Sequence, residues 1–321
     1  MIVGFPRSGK WSLAPVERLL LGAYVFLLAL AMNPRAPTLT VGSHLAVGLV
    51  VLLAGTVVLD PAAGNLQRWL RELLPIPLLL NIFQNLGAVI ESLRGRTSDS
   101  LLIACDRRLL GAHLYTALWT EHPSWPITDL LTLGYTSFYF LPLALFLWMV
   151  WTRHPRRQFV ITAFAATFFV SYVGYFLMPA LGPRLTLATS YYRNLPAGII
   201  GGHIRHLLDA LERTKTDAFP SGHTMVTLVA LFFVARYRRS WLVLYVPCAA
   251  LLIAATVLLG YHYVTDVLVG MALTPLGPYL ALRLFPRLSE SGAPAPELSA
   301  YPAATSPAAS TAPSRPAQRA R

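Results

Sequence analysis

Eight apolar runs punctuate the chain, near residues 16–32, 41–59, 73–92, 127–151, 159–180, 223–235, 241–259 and 263–284. A helix crosses the hydrocarbon core of a bilayer with about 20 residues, so each run that reaches or nears that length reads as a membrane span. The sixth is short and is expected to begin earlier or to run past the arginines that follow it. Pro75, Pro77, Pro142, Pro247, Pro275 and Pro278 fall inside or near these runs. Neighbouring helices can satisfy the backbone groups that such prolines free. The expected fold is an all-α, polytopic membrane helix bundle.

The polar intervals divide the chain. Residues 1–72 hold two spans, 73–288 hold the other six, and 289–321 form a tail rich in Ala, Pro and Ser. The tail lacks hydrophobic periodicity and is expected to be disordered. In the long interval 93–126, Leu101, Leu102, Leu109, Leu110, Leu114 and Trp119 interleave with Asp106, Arg107, Arg108 and His113. That is the pattern of a helix lying at the membrane surface. The interval 185–218 reads as a loop and carries Tyr191, Tyr192, Arg193, His203, Arg205, His206, Asp209, Glu212, Arg213, Lys215 and Asp217. It is the best candidate for recognising a headgroup or an acceptor. Gly4-Phe5-Pro6-Arg7-Ser8-Gly9-Lys10 resembles a phosphate loop only superficially, lacking both its spacing and a preceding strand. The first apolar run ends at Asn33-Pro34-Arg35 without a clear cleavage site, so it reads as an uncleaved span.

Composition agrees with a membrane protein. Of the 321 residues, 55% are hydrophobic and 12% charged, where soluble domains carry about 25% charged residues. The net charge of +12 lies in short clusters between apolar runs, with no extended basic face. Lipid headgroups and topology explain it better than nucleic acid does. The two cysteines, Cys105 and Cys248, offer neither a disulfide framework nor a metal-ligand spacing. With eight spans both termini share a side, which takes 16 of the 26 Lys and Arg and leaves 10 to the other. The tight clusters Arg153–Arg157 and Arg236–Arg239 mark the first side as cytoplasmic. The expected place is the plasma or inner membrane, with both termini inside.

Three polar motifs then gather at the outer face. Phe219-Pro220-Ser221-Gly222-His223-Thr224 opens a helix. Its first-turn N–H groups lack helical partners and favour an anion; Ser221 adds a hydroxyl, Gly222 allows close approach, and His223 carries a proton near neutral pH. In Gly260-Tyr261-His262-Tyr263-Val264-Thr265-Asp266 the i, i+4 spacing sets Asp266 on the face of His262, where it can orient the imidazole. Leu181-Gly182-Pro183-Arg184 ends an apolar run with a guanidinium fork suited to phosphate. Taken singly, Ser221 is an ordinary helix cap, His223 a helix-end histidine and Arg184 a headgroup anchor. Together they are the parts for phosphoryl transfer through a phosphohistidine.

Pro-Ser-Gly-His followed by Gly-x-His-x3-Asp, after Gly-Pro-Arg, resembles the type 2 phosphatidic acid phosphatase superfamily. Tyr175–Arg184 and Asp106-Arg107-Arg108-Leu109-Leu110-Gly111 look closest to its inositol phosphorylceramide synthase-like branch, an inositolphosphotransferase branch. The resemblance covers roughly residues 75–285. Two departures stand out: Leu177 and Thr256 occupy places where the wider family keeps Lys and Arg.

The resemblance implies a six-helix catalytic core preceded by two extra spans, acting on a phospholipid or polyprenyl phosphate in the bilayer. His262 would attack phosphorus and Asp266 would hold its tautomer. His223 would act as acid and then base, and Arg184, Ser221 and the N–H groups after Pro220, at Gly222, would bind the phosphate oxygens. No metal or organic cofactor is called for. Water as acceptor makes a phosphatase, whereas an inositol-like hydroxyl makes a transferase. A lipid transporter or scaffold is the non-enzymatic alternative.

Overall fold

The computed structural model describes residues 13–32, 38–121, 123–186, 189–211 and 214–290. The expected tail, 289–321, lies outside the described residues from 291 onward, its first two residues being helical; the Gly4–Lys10 segment, Arg35, Glu212 and Arg213 also lie outside them. Among the described residues the regular structure is helical, with one isolated bridge between Ala180 and Asp217.

All eight apolar runs fold as helices. The chain begins with α1 (Pro15–Ala31) and α2 (Thr38–Val58), followed by α3 (Asn65–Leu73) and α4 (Pro75–Leu93). Next come α5 (Asp99–Thr120), α6 (Trp125–Trp151) and α7 (Arg157–Leu177). Three short helices follow: α8 (Pro183–Thr186), α9 (Thr189–Asn194) and α10 (Ile199–Leu211). The last group is α11 (Gly222–Tyr237), α12 (Leu242–Leu258), α13 (Val264–Leu273), α14 (Leu276–Leu284) and α15 (Arg287–Glu290). Among the described residues, six helical stretches are long and apolar enough to cross a bilayer: Thr40–Val58, Asn65–Leu93, Trp125–Trp151, Arg157–Leu177, Arg239–Leu258 and Val264–Leu284. α1 has 17 residues and α11 has 16, so both are shorter. The fold is therefore an all-α polytopic bundle.

α7 is the most enclosed span. It packs against α1, α4, α6, α11 and α14. Small residues permit the tightest approaches: a Cβ on Gly277 would strike Thr167 of α7, and one on Gly134 would strike Leu251 of α12. Close backbone approach is how helices associate in lipid, where no hydrophobic force drives them together. The two leading spans share a core with α4 and α7 through Leu20, Tyr24, Leu45, Leu52, Ile82 and Ile161. Polar pins fix them. The Tyr24 hydroxyl is 3.0 Å from Asn81 Oδ1 and 3.2 Å from the Leu78 carbonyl. Buried Glu17 accepts two hydrogen bonds from Arg71, at 2.9 and 3.0 Å, and buried Glu72 accepts one from Arg157 at 2.8 Å. Removing one partner of such a pair strands a buried charge and costs about 3–5 kcal/mol.

The polar intervals depart from expectation in two ways. The surface helix of 93–126 forms as α5, but Gly111 has a left-handed backbone (φ 74°, ψ 160°) that breaks it in two. Its Leu101, Leu109 and Leu114 stay exposed while Leu102, Tyr115 and Trp119 turn inward. The expected loop 185–218 is largely helical, as α8, α9 and α10. Gly198 and Gly201 let α10 lie close against Asp129 of α6, whose carboxylate accepts the Gly198 N–H at 2.9 Å. Glycines at the start of a helix hide it from a propensity reading.

Candidate active site

Three turns meet at one end of the bundle. The first follows α7. Gly182 has a left-handed backbone (φ 82°), and a Cβ there would run into the Tyr261 carbonyl, so glycine is required. The Arg184 N–H donates to the Gly260 carbonyl at 2.8 Å, which ties the first motif to the third through the backbone. The Arg184 side chain is buried, and its guanidinium carbon lies 4.2 Å from the centroid of the Tyr261 ring. That cation–π contact fixes the plane of the fork.

The second turn starts α11. The Ser221 hydroxyl caps the helix, accepting from the Thr224 N–H at 3.2 Å and its hydroxyl at 3.0 Å. The Ser221 N–H donates to the backbone carbonyl of Asp266 at 3.1 Å, so the second and third motifs are joined as well. Gly222 backs onto Tyr175 and Ser171 of α7 with no room for a Cβ.

The third turn connects α12 to α13. Two carboxylates cap the free N–H groups of α13. Asp266 Oδ2 accepts from the Tyr263 N–H at 2.8 Å. Asp106 of α5, fully buried, accepts from the N–H groups of Val264 at 2.9 Å and Thr265 at 2.8 Å, and from the Thr265 hydroxyl at 2.6 Å. Anionic caps suit a helix N-terminus.

The two histidines meet where these turns converge, with His223 Nδ1 3.2 Å from His262 Nε2. His262 Nδ1 is 2.7 Å from the Ala218 carbonyl oxygen and 3.6 Å from Asp266 Oδ2. A carbonyl oxygen only accepts, so Nδ1 carries the hydrogen and Nε2 of the neutral ring keeps its lone pair. His223 Nδ1 is then the donor to that lone pair. Sequence spacing assigned the orienting role to Asp266; the structure gives the shorter contact to Ala218, and Asp266 serves mainly as a cap with its charge nearby.

An aromatic wall encloses the pair. The His223 ring centroid lies 4.3 Å from Phe138 and 4.8 Å from Tyr135, both on α6. Tyr135 in turn stacks on Tyr261 at 4.3 Å with 19° between planes. Arg184, Tyr261, Tyr135 and His223 thus form one chain of ring contacts, the last pair tilted by 34°. Beyond His223, Gly222 and Asp217 opens a cavity of about 250 Å³, lined mainly by apolar groups of α4, α6 and α7 such as Phe83, Leu143, Phe146, Phe164 and Phe168.

All six residues singled out from the motifs stand around this junction. Leu177 and Thr256 bring no cation to it: Leu177 is 64% exposed, and buried Thr256 donates its hydroxyl to the Ile253 carbonyl at 2.7 Å. His203 lies on α10 with Nδ1 2.6 Å from the Ile199 carbonyl. Sequence reasoning missed Asp99, Tyr135, Phe138 and the Ala218 carbonyl. The first three lie far from the motifs in sequence and the last is backbone.

A model of the PAP2 superfamily matches residues 100–280, more than half the chain and all three turns. The chain belongs to the PAP2 superfamily. A PA-phosphatase related-family protein of Dictyostelium discoideum is 24% identical over 169 residues, which are 46% of this chain and 30% of that relative. The chain thus spans less than a third of that relative's length. No solved structure matches it. With six helices among the described residues long and apolar enough to span a bilayer, the chain is an integral membrane member of that superfamily.

Proposed function

We propose that the protein transfers a lipid phosphoryl group through a phosphohistidine on His262, at the outer face of the plasma or inner membrane, with both termini cytoplasmic. The observation that carries this reading is the short contact between His262 Nδ1 and the Ala218 carbonyl, from which its tautomer follows. With Nδ1–H held by the Ala218 carbonyl at 2.7 Å, Nε2 is a directed lone pair. In this mechanism Nε2 attacks phosphorus, the bond to the lipid oxygen breaks, and His223 gives that oxygen its proton. Water or an alcohol then attacks phosphorus, His223 takes its proton, and the N–P bond electrons return to Nε2. Arg184, Ser221 and the first-turn amides of α11 hold the nonbridging oxygens, with Gly222 allowing close approach. Asp266 stabilises the charged ring of His262.

In-line transfer sets nucleophile and acid on opposite sides of phosphorus, which needs the two nitrogens about 6 Å apart. Their 3.2 Å separation is a closed form of the site. His223 swings aside as the phosphate enters. The apolar cavity beside His223 takes the hydrocarbon chain of the lipid, a use its aromatic lining fits.

Leu177 and Thr256 favour a second, finer reading. A site without those two cations suits a phospholipid mono- or diester better than a polyprenyl diphosphate. It also suits transfer to an inositol-like hydroxyl, as in the inositolphosphotransferase branch. The test offers purified protein phosphatidic acid, polyprenyl diphosphate and phosphatidylinositol, each labelled in the phosphate, with and without inositol, following both free phosphate and phosphorylated inositol. Labelled phosphate recovered on inositol, as a water-soluble inositol phosphate, supports transfer, because the lipid oxygen leaves when the phosphohistidine forms. Free phosphate alone, with polyprenyl diphosphate the best substrate, leaves a plain phosphatase. No turnover of any lipid supports the transport or scaffold alternative.

A further inference from the structure

Asp99 opens α5 one residue before the family match begins. Its side chain is buried at the junction of the turns. Oδ1 accepts from the Gly182 N–H at 3.0 Å, the Leu181 N–H at 3.1 Å and the Tyr263 hydroxyl at 3.0 Å, while Oδ2 lies 3.1 Å from the same Leu181 N–H. Gly182 is two residues before Arg184, and Tyr263 directly follows His262. One carboxylate therefore grips both the loop that carries the guanidinium and the loop that carries the imidazole.

Anchoring of α5 does not account for this grip. Asp106, two turns along the same helix, already bonds Val264 and Thr265 at the start of α13. What Asp99 adds is a hold on the Leu181–Gly182 peptides. Gly182 has no side chain to pack, so the set of its turn depends on hydrogen bonds. Asp99 supplies one side, and the Arg184 N–H on the Gly260 carbonyl supplies the other.

We propose that Asp99 is a positioning residue that sets the Arg184 fork against His262; this rests on the phosphoryl-transfer reading of the site. A shift of about 1 Å at such a group costs on the order of 10²-fold in rate. The carboxylate acts through its acceptor geometry, because Asn can still offer Oδ1 to Gly182 and Tyr263.

The test is a double-mutant cycle on the full chain in detergent, reading kcat/KM for phosphatidic acid. Asp99→Ala is expected to lose about 30-fold in the wild-type background and less than about 3-fold when Arg184 is already Lys, since coupled sites are not additive. Asp99→Asn is expected to stay within about 5-fold of wild type, as acceptor geometry is kept. Equal losses in both backgrounds would show a merely structural role, and Asp99→Asn failing as badly as Asp99→Ala would show a role for the charge; either overturns the proposal. If Asp99→Ala does not fold, Tyr263→Phe frees one arm of the carboxylate and carries the same cycle. Orthovanadate affinity, read by protection against thermal unfolding, runs the cycle without turnover. Wild type that turns over no lipid but shows the vanadate coupling would sink the catalytic reading and leave the positioning role standing.

Discussion

His262 Nδ1 lies 2.7 Å from the Ala218 carbonyl and 3.6 Å from the carboxylate of Asp266. The backbone, rather than the acid, fixes which nitrogen is free. His262 and Asp266 should therefore separate in mutant kinetics. His262→Ala removes the proposed nucleophile and is expected to lower kcat about 10⁴-fold or more. Asp266→Asn keeps an acceptor for the Tyr263 N–H and leaves the tautomer in place, so a loss of about 10- to 100-fold is expected, from weaker stabilisation of the charged ring. Asp266→Asn as inactive as His262→Ala would mean that the carboxylate sets the tautomer after all. A phosphoenzyme trapped in His262→Ala would remove His262 from the covalent role.

Arg184 lies over Tyr261 with its guanidinium carbon 4.2 Å from the ring centroid. A lysine ammonium has neither the plane nor the fork to match this seat. Arg184→Lys is expected to lose about 100-fold in kcat/KM, the scale of a lost charge-assisted bidentate contact. Kinetics like wild type in Arg184→Lys would show that a point charge suffices.

Much of this architecture is legible in the residues. Apolar runs announce the eight helices, because lipid demands length and apolarity of any span. The three motifs are legible because each is short and contiguous. Asp99 and Tyr135 are not. Their importance comes from partners 82 to 164 positions away for Asp99, and from rings brought together by α6 and α11 for Tyr135. No local pattern encodes such a meeting. Asp266 shows the opposite limit: i, i+4 spacing correctly puts it beside His262, but spacing cannot reveal a closer backbone carbonyl. The helices of 185–218 escape notice because Gly198, Gly201 and Gly202 sit where a helix begins.

His154, in the turn between α6 and α7, makes stability depend on pH. Burial, then Arg156 and Arg157, push its imidazole below the ordinary value. Its Nδ1 accepts the Arg156 N–H at 3.2 Å, which a protonated nitrogen cannot do. A folded-state value below the unfolded one, about 6.5, means that the stabilisation is present above that pH and is lost as pH falls below it. The melting temperature is expected to fall between about pH 7 and pH 5, and to fall less in His154→Asn. An identical fall in the variant would clear His154 of the effect.

The orientation proposed for the site makes two surface positions reporters. Asn194, on the site end, and Pro155, in the arginine cluster at the other, are both exposed. With Cys105 and Cys248 replaced, a single cysteine at Asn194 is expected to react with an impermeant thiol reagent in intact cells. One at Pro155 should react only after the membrane is opened. The reverse pattern would turn the protein over and place the chemistry at the cytoplasmic face.

The apolar cavity beside His223 should set preference for chain length. Leu143 lines it from α6 and is half-buried, so a larger side chain can enter the space without crowding a closed core. Leu143→Trp would fill part of the 250 Å³ that a hydrocarbon chain would occupy. Each buried methylene contributes about 0.8 kcal/mol, so displacing two or three of them is expected to raise KM for a long-chain phosphatidic acid about 10- to 50-fold. A short-chain analogue that does not reach Leu143 should be hydrolysed as before, since no group at the phosphate has moved. If both substrates weaken equally, the substitution has disturbed the histidines through α6, where Tyr135 and Phe138 flank His223. If neither weakens, the lipid chain lies outside the bundle, and the cavity has no part in substrate binding.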